Sequence, residues 1–79
     1  MDEIREDIDE FVQQYFKVEK GRIKEDDALM DLGVVYSIGL IALINHIERN
    51  YNIVVEDRDI SLENFGTIRN IVNYISERQ

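Results

Sequence analysis

Ser37 lies in the stretch of this sequence whose residue types best suggest chemistry. Residues 32–44 read LGVVYSIGLIALI, so Ser37 follows Tyr36 and precedes an apolar run. A serine in this position predicts a helix N-cap, because its hydroxyl can accept a hydrogen bond from a backbone N–H two or three residues later. The hydroxyl could also be a nucleophile or an attachment point, but no residue near it in the sequence could act as its base. The residues alone do not decide whether Ser37 is a helix cap, a nucleophile or an attachment point.

Two other groups of residues fit known chemical sites poorly. The acidic stretch 57–63 alternates like a calcium-binding loop, but Leu62 stands where that loop needs glycine and Ile68 where it needs glutamate. The single histidine, His46, lies off the apolar stripe of its predicted helix, so we expect it to be exposed rather than catalytic. The chain has no cysteine and therefore no thiolate metal site. We predict a protein that is not an enzyme and has no metal site.

Length and composition predict one small soluble domain. The chain has 79 residues, of which 44% are hydrophobic and 33% charged, and we expect residues 1–79 to form a single domain. The formal charge of −8 disfavours nucleic acid and anionic membranes and favours a basic surface on a partner protein. The acidic residues 2–10 could form such a docking patch, although a solvated helix face is the simpler interpretation. Without a signal peptide or a span of about 20 apolar residues, we predict a cytoplasmic monomer.

Periodic apolar residues predict three main helices and a short one. The helical spacing covers residues 4–16 and 37–51, and a last helix follows its capping residue Thr67. Residues 59–65 resemble a single helical turn. The residues predicted to face the core in the second and last helices are Leu40, Ile41, Ile44, Ile47, Ile68, Ile71, Val72 and Ile75.

A long connection separates the first two main helices. Residues 17–36 mix both charge signs with two glycines and show no sustained period. We therefore predict an all-α fold, a small four-helix bundle with a long first loop. The apolar residues expected to fix this loop to the core are Ile23, Leu29, Met30, Leu32 and Val34.

Residues 28–75 resemble an acyl carrier protein, in particular those with a Gly-Val-Ile-Asp-Ser-x-Gly-Leu stretch. The likeness includes Leu32 and Gly33 before the serine, the apolar residues after it, and the helix ending IERNYNI. The later segment ISLENFGTIRNIVNYI is similar to the family's short third helix and its threonine-capped fourth helix. Order, spacing and length agree together, which makes the resemblance more specific than a single motif.

The resemblance implies a carrier function for this chain. In the acyl carrier proteins the corresponding serine is esterified by 4'-phosphopantetheine from coenzyme A, and the arm's thiol carries an acyl or aminoacyl group as a thioester. Ser37 would be the attachment residue and Tyr36 its neighbour. The implied partners are a phosphopantetheinyl transferase and the acyl- or aminoacyl-loading and acyl-transfer enzymes of fatty-acid, polyketide or related specialised metabolism.

Three positions differ from the usual pattern of the family, and one of them, Glu56, replaces a proline often found after the second helix. Tyr36 stands where most members have aspartate, and Ala42 where most have an acidic residue. Tyr36 could cover the end of the bundle or lie over the arm. A second hypothesis is therefore a carrier-like domain that is never loaded and acts as a protein-binding or regulatory subunit. Replacement of Ser37 by alanine distinguishes the loaded carrier from the unloaded subunit, because only a loaded carrier needs the Ser37 hydroxyl for its activity.

Overall fold

The computed structural model describes residues 2–17, 19, 21–29 and 38–79. It confirms an all-α bundle: the described residues form four α-helices and one 3-10 turn, and no strand. The described part of the first loop confirms that Leu29 is buried and that Ile23 packs against the core. The other apolar residues predicted to fix this loop, Met30, Leu32 and Val34, lie outside the described residues.

Helix α1 spans Asp2–Phe16, so it includes the predicted residues 4–16 and begins two residues earlier. The carboxylate of Glu3 in its first turn complements the positive end of the helix dipole. Ile8 and Val12 are four residues apart, so they share one face, and both are fully buried. Helix α1 packs against α2 and α4, and α4 also packs against α3.

Helix α2 spans Ile38–Tyr51 and presents one apolar face to the core. Ile44 and Ile47 are buried as predicted, but Ile41 is 60% exposed, so its predicted inward position is wrong. Leu43 is buried instead. Leu43 is four residues before Ile47 and shares its face, whereas Ile41 is six residues before Ile47 and points to a different side of the helix.

The predicted helical turn between residues 59 and 65 is present as two short elements. A 3-10 turn spans Asp57–Asp59, and helix α3 spans Leu62–Phe65. Ser61 caps α3, since its hydroxyl accepts a hydrogen bond from the backbone N–H of Asn64 at 3.4 Å. Phe65 is fully buried and anchors α3 to the core.

Helix α4 spans Ile68–Arg78 and begins where the sequence predicts. The Thr67 hydroxyl accepts a hydrogen bond from the Asn70 N–H at 3.1 Å, which confirms Thr67 as the N-cap. Gly66 lies at the corner between α3 and α4, and a β-carbon there would overlap the Leu62 carbonyl oxygen. Only glycine therefore fits this corner without a shift of the backbone.

The core contains residues from every α-helix and from the first loop. Tyr74 is its largest fully buried side chain, and its ring lies 5.0 Å from that of Phe65, measured between centroids. Among the residues that the structure describes, no helix has both the length and the apolar character required to cross a bilayer. The fully buried apolar residues are Ile8, Val12, Leu29, Leu43, Ile47, Phe65, Ile68, Ile71, Tyr74 and Ile75.

Candidate functional site

The predicted attachment residue, Ser37, and its neighbour Tyr36 lie outside the described residues. The described elements on either side of them are residues 21–29 and helix α2, which begins at Ile38, the next residue in the sequence. The contacts that hold these two elements fix the described frame on either side of residues 30–37. Two groups of polar contacts, one for each element, provide this frame.

The first group fixes α2 to α1 through a single carboxylate. Asp7 Oδ2 accepts a hydrogen bond from the Tyr51 hydroxyl at 2.6 Å and lies 2.9 Å from His46 Nε2. The His46 ring lies against Phe11, with 4.5 Å between the ring centroids. Asn50 closes the group, with its Nδ2 at 3.2 Å from His46 Nδ1. Both ring nitrogens of His46 thus have a partner, and α2 is held along its last two turns.

His46 corrects one prediction from the sequence. We expected a solvent-exposed side chain, but only 15% of it is exposed. The reason is a contact across the bundle: α1 lies beside this face of α2 and supplies Phe11 and Asp7 to the imidazole. The described contacts of His46 join two helices.

Tyr51 adds a pH dependence to the contact between α1 and α2. Burial raises the pKa of Tyr51, and the hydrogen bond to Asp7 and that residue's negative charge raise the pKa further. Because the folded state holds this proton more tightly than the unfolded chain does, the stabilisation is fully present below the ordinary tyrosine pKa of about 10. It is lost as the pH rises through the higher pKa of the folded protein.

We expect Asp7→Ala to lower the free energy of unfolding by about 1–2 kcal/mol, because the Tyr51 hydroxyl and the His46 ring lose their shared acceptor. Urea denaturation near pH 7 measures this loss. Glu6→Ala is the matched control, since it removes an exposed carboxylate from the same turn of α1. Equal losses in the two variants would show that the Asp7 hydrogen bonds contribute nothing to stability.

The second group fixes residues 21–29 to the last helix. The Arg69 guanidinium binds Asp26 Oδ1 at 2.6 Å and Glu25 Oε2 at 2.9 Å, and Glu25 also binds Arg5 of α1 at 3.0 Å. The hydrogen bond from Arg69 lowers the pKa of Asp26. Backbone contacts add to these ion pairs, since Leu29 N–H donates to the Gly66 carbonyl at 2.9 Å. The loop is thus attached to both α1 and α4 just before the segment that contains Ser37.

The first turn of α2 has the electrostatic character that a phosphate ester needs. The first four N–H groups of an α-helix have no acceptor within the helix, and the helix dipole puts partial positive charge at that end. Unlike α1, helix α2 has no acidic residue in its first turn that would repel a phosphate. The described residues therefore fit a phosphodiester on the residue that precedes Ile38, and Ser37 would hold it.

The structure describes the surroundings of Ser61 and Ser76. The Ser61 hydroxyl caps α3 by accepting from Asn64. The Ser76 hydroxyl is on α4 and is buried, without a hydrogen-bond partner among the described residues. In this conformation the Ser76 hydroxyl is not accessible to a modifying enzyme.

The acidic stretch 57–63 has structural contacts in place of calcium-loop geometry. Asp59 Oδ2 accepts a hydrogen bond from the Tyr74 hydroxyl at 2.9 Å and lies 3.6 Å from Arg78 Nη2. Arg78 in turn covers the Tyr74 ring at 3.6 Å from its centroid. Within the described ranges, no cluster of histidine, aspartate and glutamate has the arrangement of a metal site.

Sequence reasoning missed the residues that position α2 and the first loop. Asp7 and His46 are 39 residues apart, and Arg69 and Glu25 are 44 apart. No local pattern could reveal such pairs. The only signal in the sequence is the placement of polar residues beside apolar stripes, which indicates a helix edge but not its partner.

The sequence matches the model of a known protein family. A family model described as "Phosphopantetheine attachment site" matches residues 6–75, which is most of the chain. No curated protein matches the sequence significantly. Domains of the matched family carry a covalently attached 4'-phosphopantetheine group and generally act as carriers without catalytic activity of their own. The chain therefore belongs to the phosphopantetheine-attachment family, which includes the acyl carrier proteins.

Proposed function

We propose that this protein is a discrete carrier that bears 4'-phosphopantetheine on Ser37 and shuttles a thioester-bound acyl or aminoacyl group between enzymes. The observation that carries the proposal is the family match over residues 6–75 together with the position of Ser37 directly before α2. The arm supplies a thiol that forms the thioester. The partners are a phosphopantetheinyl transferase and the enzymes of fatty-acid, polyketide or related specialised metabolism.

The proposal also includes the domain organisation, the assembly state, the location and the excluded partners of the protein. Residues 1–79 act as one domain, and the protein works as a cytoplasmic monomer that associates transiently with its partner enzymes. The acidic character of the chain supports the absence of nucleic-acid and membrane partners, since a charge of −8 repels phosphate-rich surfaces. This chain's own part in the reaction is to fix the helix that follows the serine, through the contacts of Asp7 with α2.

Loading of the wild-type protein tests the proposal. The apo protein is incubated with coenzyme A and a broad-specificity phosphopantetheinyl transferase, and its intact mass is then measured. We expect a gain of one phosphopantetheinyl group per chain, and fragmentation should locate that group on Ser37 rather than on Ser61 or Ser76. A chain that stays unmodified with several transferases, or a group found on another residue, would contradict the proposal.

A second candidate function is favoured by Tyr36, which stands where most carriers have aspartate before the serine. In that case the protein is an unmodified binding or regulatory subunit. Its partner binding and biological activity would survive replacement of Ser37 by alanine. Loss of activity in a folded Ser37 variant would exclude the second candidate.

A further inference from the structure

The last two turns of helix α1 carry a cluster of aromatic side chains. The Phe11 and Tyr15 rings are nearly parallel, with 12° between their planes and 5.5 Å between their centroids. Phe16 adds an edge contact to Tyr15, with 5.0 Å between the centroids. Phe11 also lies against His46 of α2, whereas Tyr15 is 45% exposed. The cluster is therefore fixed on one side by the contact between α1 and α2 and is open to solvent at Tyr15.

Anchoring of the helices does not account for the Tyr15 ring. Tyr51 donates a hydrogen bond to Asp7 and so joins α2 to α1. Tyr74 is fully buried and donates to Asp59. The Tyr15 hydroxyl, by contrast, forms no hydrogen bond with any residue that the structure describes. Tyr15 instead exposes apolar ring surface, which a bound group could cover.

A shallow groove of about 210 Å³ lies against these rings. It is lined by Phe11, Gln14 and Tyr15, and we call it the aromatic groove. A cavity of about 150 Å³ holds a benzene molecule, so the aromatic groove has room for about one aromatic ring. Gln14 Nε2 donates one N–H to Glu10 at 3.1 Å, and its amide group has a second N–H. The aromatic groove therefore offers a ring face and a hydrogen-bond donor, which together suit a planar group next to a carbonyl.

The aromatic groove lies toward the start of α2. Asp7 contacts Tyr51 and His46, and Phe11, which comes four residues later, contacts His46. Contacts that move toward the start of α2 as α1 proceeds show that the two helices are antiparallel. At about 1.5 Å per residue, α2 begins about 12 Å from His46 along its axis, and Tyr15 lies about 6 Å from Phe11 in the same direction. The aromatic groove is thus separated from the start of α2 by only about 6 Å along the axis.

The face of α2 that leads to the aromatic groove has small side chains. Ala42 and Gly39 are four and seven residues before His46, so they share its face of the helix. They are the two smallest residues of α2. No long side chain at these two positions therefore separates the start of α2 from the aromatic groove.

We propose that the aromatic groove holds the thioester-bound group of the carrier, and that this group is an aromatic acyl group. The inference rests on the carrier function proposed above and names the class of group that is carried. Its ring stacks on Tyr15, and the free N–H of Gln14 donates to the thioester carbonyl. Because the group is tethered near the start of α2, its local concentration is in the millimolar range, so a weak contact is sufficient.

The test compares two groups on the same arm. A broad-specificity transferase loads the apo protein from benzoyl-coenzyme A or from cyclohexanecarbonyl-coenzyme A, whose ring has as many carbon atoms but is not planar. Hydroxylamine then cleaves the thioester, and intact mass follows the rate. A group that spends about two thirds of its time in the aromatic groove, shielded from the reagent, is cleaved about threefold more slowly than a free one.

Tyr15→Leu removes the ring and keeps an apolar side chain. We expect its benzoyl form to be cleaved about threefold faster than that of the wild-type protein, because the stacking contact is lost. Its cyclohexanecarbonyl form should be cleaved at the wild-type rate. Tyr15→Phe keeps the ring and should keep the protection.

Leu62→Ala is the matched control, because Leu62 is 47% exposed and lies on α3 rather than α1. Its benzoyl form should be cleaved at the wild-type rate. Both positions are exposed, so the variants should fold normally, and urea denaturation verifies this.

A second measurement needs no loading. The benzoyl thioester of N-acetylcysteamine is added to the unmodified protein at about 10 mM, a concentration similar to that of a tethered group. We expect the backbone amide NMR signals of Phe11, Gln14 and Tyr15 to shift in the wild-type protein, and the signals of Phe11 and Gln14 to stay in place in Tyr15→Leu.

The outcomes separate this inference from the carrier function. Equal cleavage of the benzoyl form in the wild-type protein and Tyr15→Leu would overturn the inference, while the loading itself would uphold the carrier function. Faster cleavage in Leu62→Ala would also overturn it, because the group would then lie against α3. Absence of NMR shifts with the free thioester would count against the aromatic groove in the same way. Failure of the wild-type protein to load would overturn the carrier function and this inference with it.

Discussion

The Ser37→Ala variant is expected to accept no phosphopantetheinyl group, compared with one group per chain for the wild-type protein. Loading forms a bond between the serine oxygen and the phosphorus next to the pantetheine of coenzyme A. The pyrophosphate bond of coenzyme A breaks, 3',5'-adenosine bisphosphate leaves, and the serine proton passes to the transferase or to water. A side chain without a hydroxyl has no atom to form the new bond. Intact mass after incubation with coenzyme A and a transferase measures the outcome. The expected effect is a complete loss of modification.

The effect of Ser37→Ala on stability must be separated from its effect on loading, because Ser37 is also predicted to cap α2. Loss of an N-cap hydroxyl costs about 1 kcal/mol, within a range of about 0.5–2 kcal/mol. Ser37→Asn is the matched variant: asparagine caps helices about as well as serine but has no hydroxyl to esterify. We expect Ser37→Asn to unfold like the wild-type protein and still to remain unmodified.

The other serines provide the second control. Ser61→Ala and Ser76→Ala should both be loaded fully, although Ser61→Ala loses the cap of α3 and should be less stable by about 1 kcal/mol. If a Ser37 variant gained the mass of the arm, or if Ser61→Ala lost it, the attachment residue proposed here would be wrong.

The helices of this protein could be predicted from local patterns because each helix buries one stripe. Spacing of three or four residues was enough to locate α1, α2 and α4, and Thr67 was recognised as a cap from its position before an apolar run. The error at Ile41 shows the limit of the method. In a sequence rich in isoleucine on several sides of one helix, hydrophobicity alone does not decide which side faces the core.

Contacts between distant residues could not be predicted in the same way. His46 was expected at the surface because it lies off the apolar stripe of its own helix, but Asp7 and Phe11 of α1 partly bury it. The attachment of the first loop through Arg69 to Glu25 and Asp26 likewise depends on how the helices pack. Such pairs follow from the tertiary structure and leave no periodic signal.

The candidate site was identified from family resemblance, and neither from periodicity nor from residue chemistry. The hydroxyl of Ser37 has no neighbouring base in the sequence, so residue chemistry alone gives an N-cap at least as readily as an attachment point. Family resemblance supplied the functional interpretation, and the match over residues 6–75 confirms the family. The structure adds the electrostatics of the first turn of α2 and the surroundings of the other serines.

Leu29→Ala is the change for which we expect the largest loss of stability. Leu29 is fully buried, and its backbone N–H donates to the Gly66 carbonyl at 2.9 Å. Truncation of a buried leucine costs about 2–5 kcal/mol, because apolar contacts are lost and a cavity remains. A chain of 79 residues has a total stability of only about 4–12 kcal/mol. Urea denaturation should show a much lower midpoint with an unchanged slope.

Leu62→Ala is the matched control, because it makes the same change at a leucine that is 47% exposed. It should cost less than about 1 kcal/mol, since the side chain gives up less buried surface and leaves no closed cavity. A large difference between the two variants would show that residues 21–29 are part of the cooperative core, although they contain no helix. Similar small losses would show that residues 21–29 can detach while the helices stay packed. The contacts of these residues would then contribute little to holding the chain in place before Ser37.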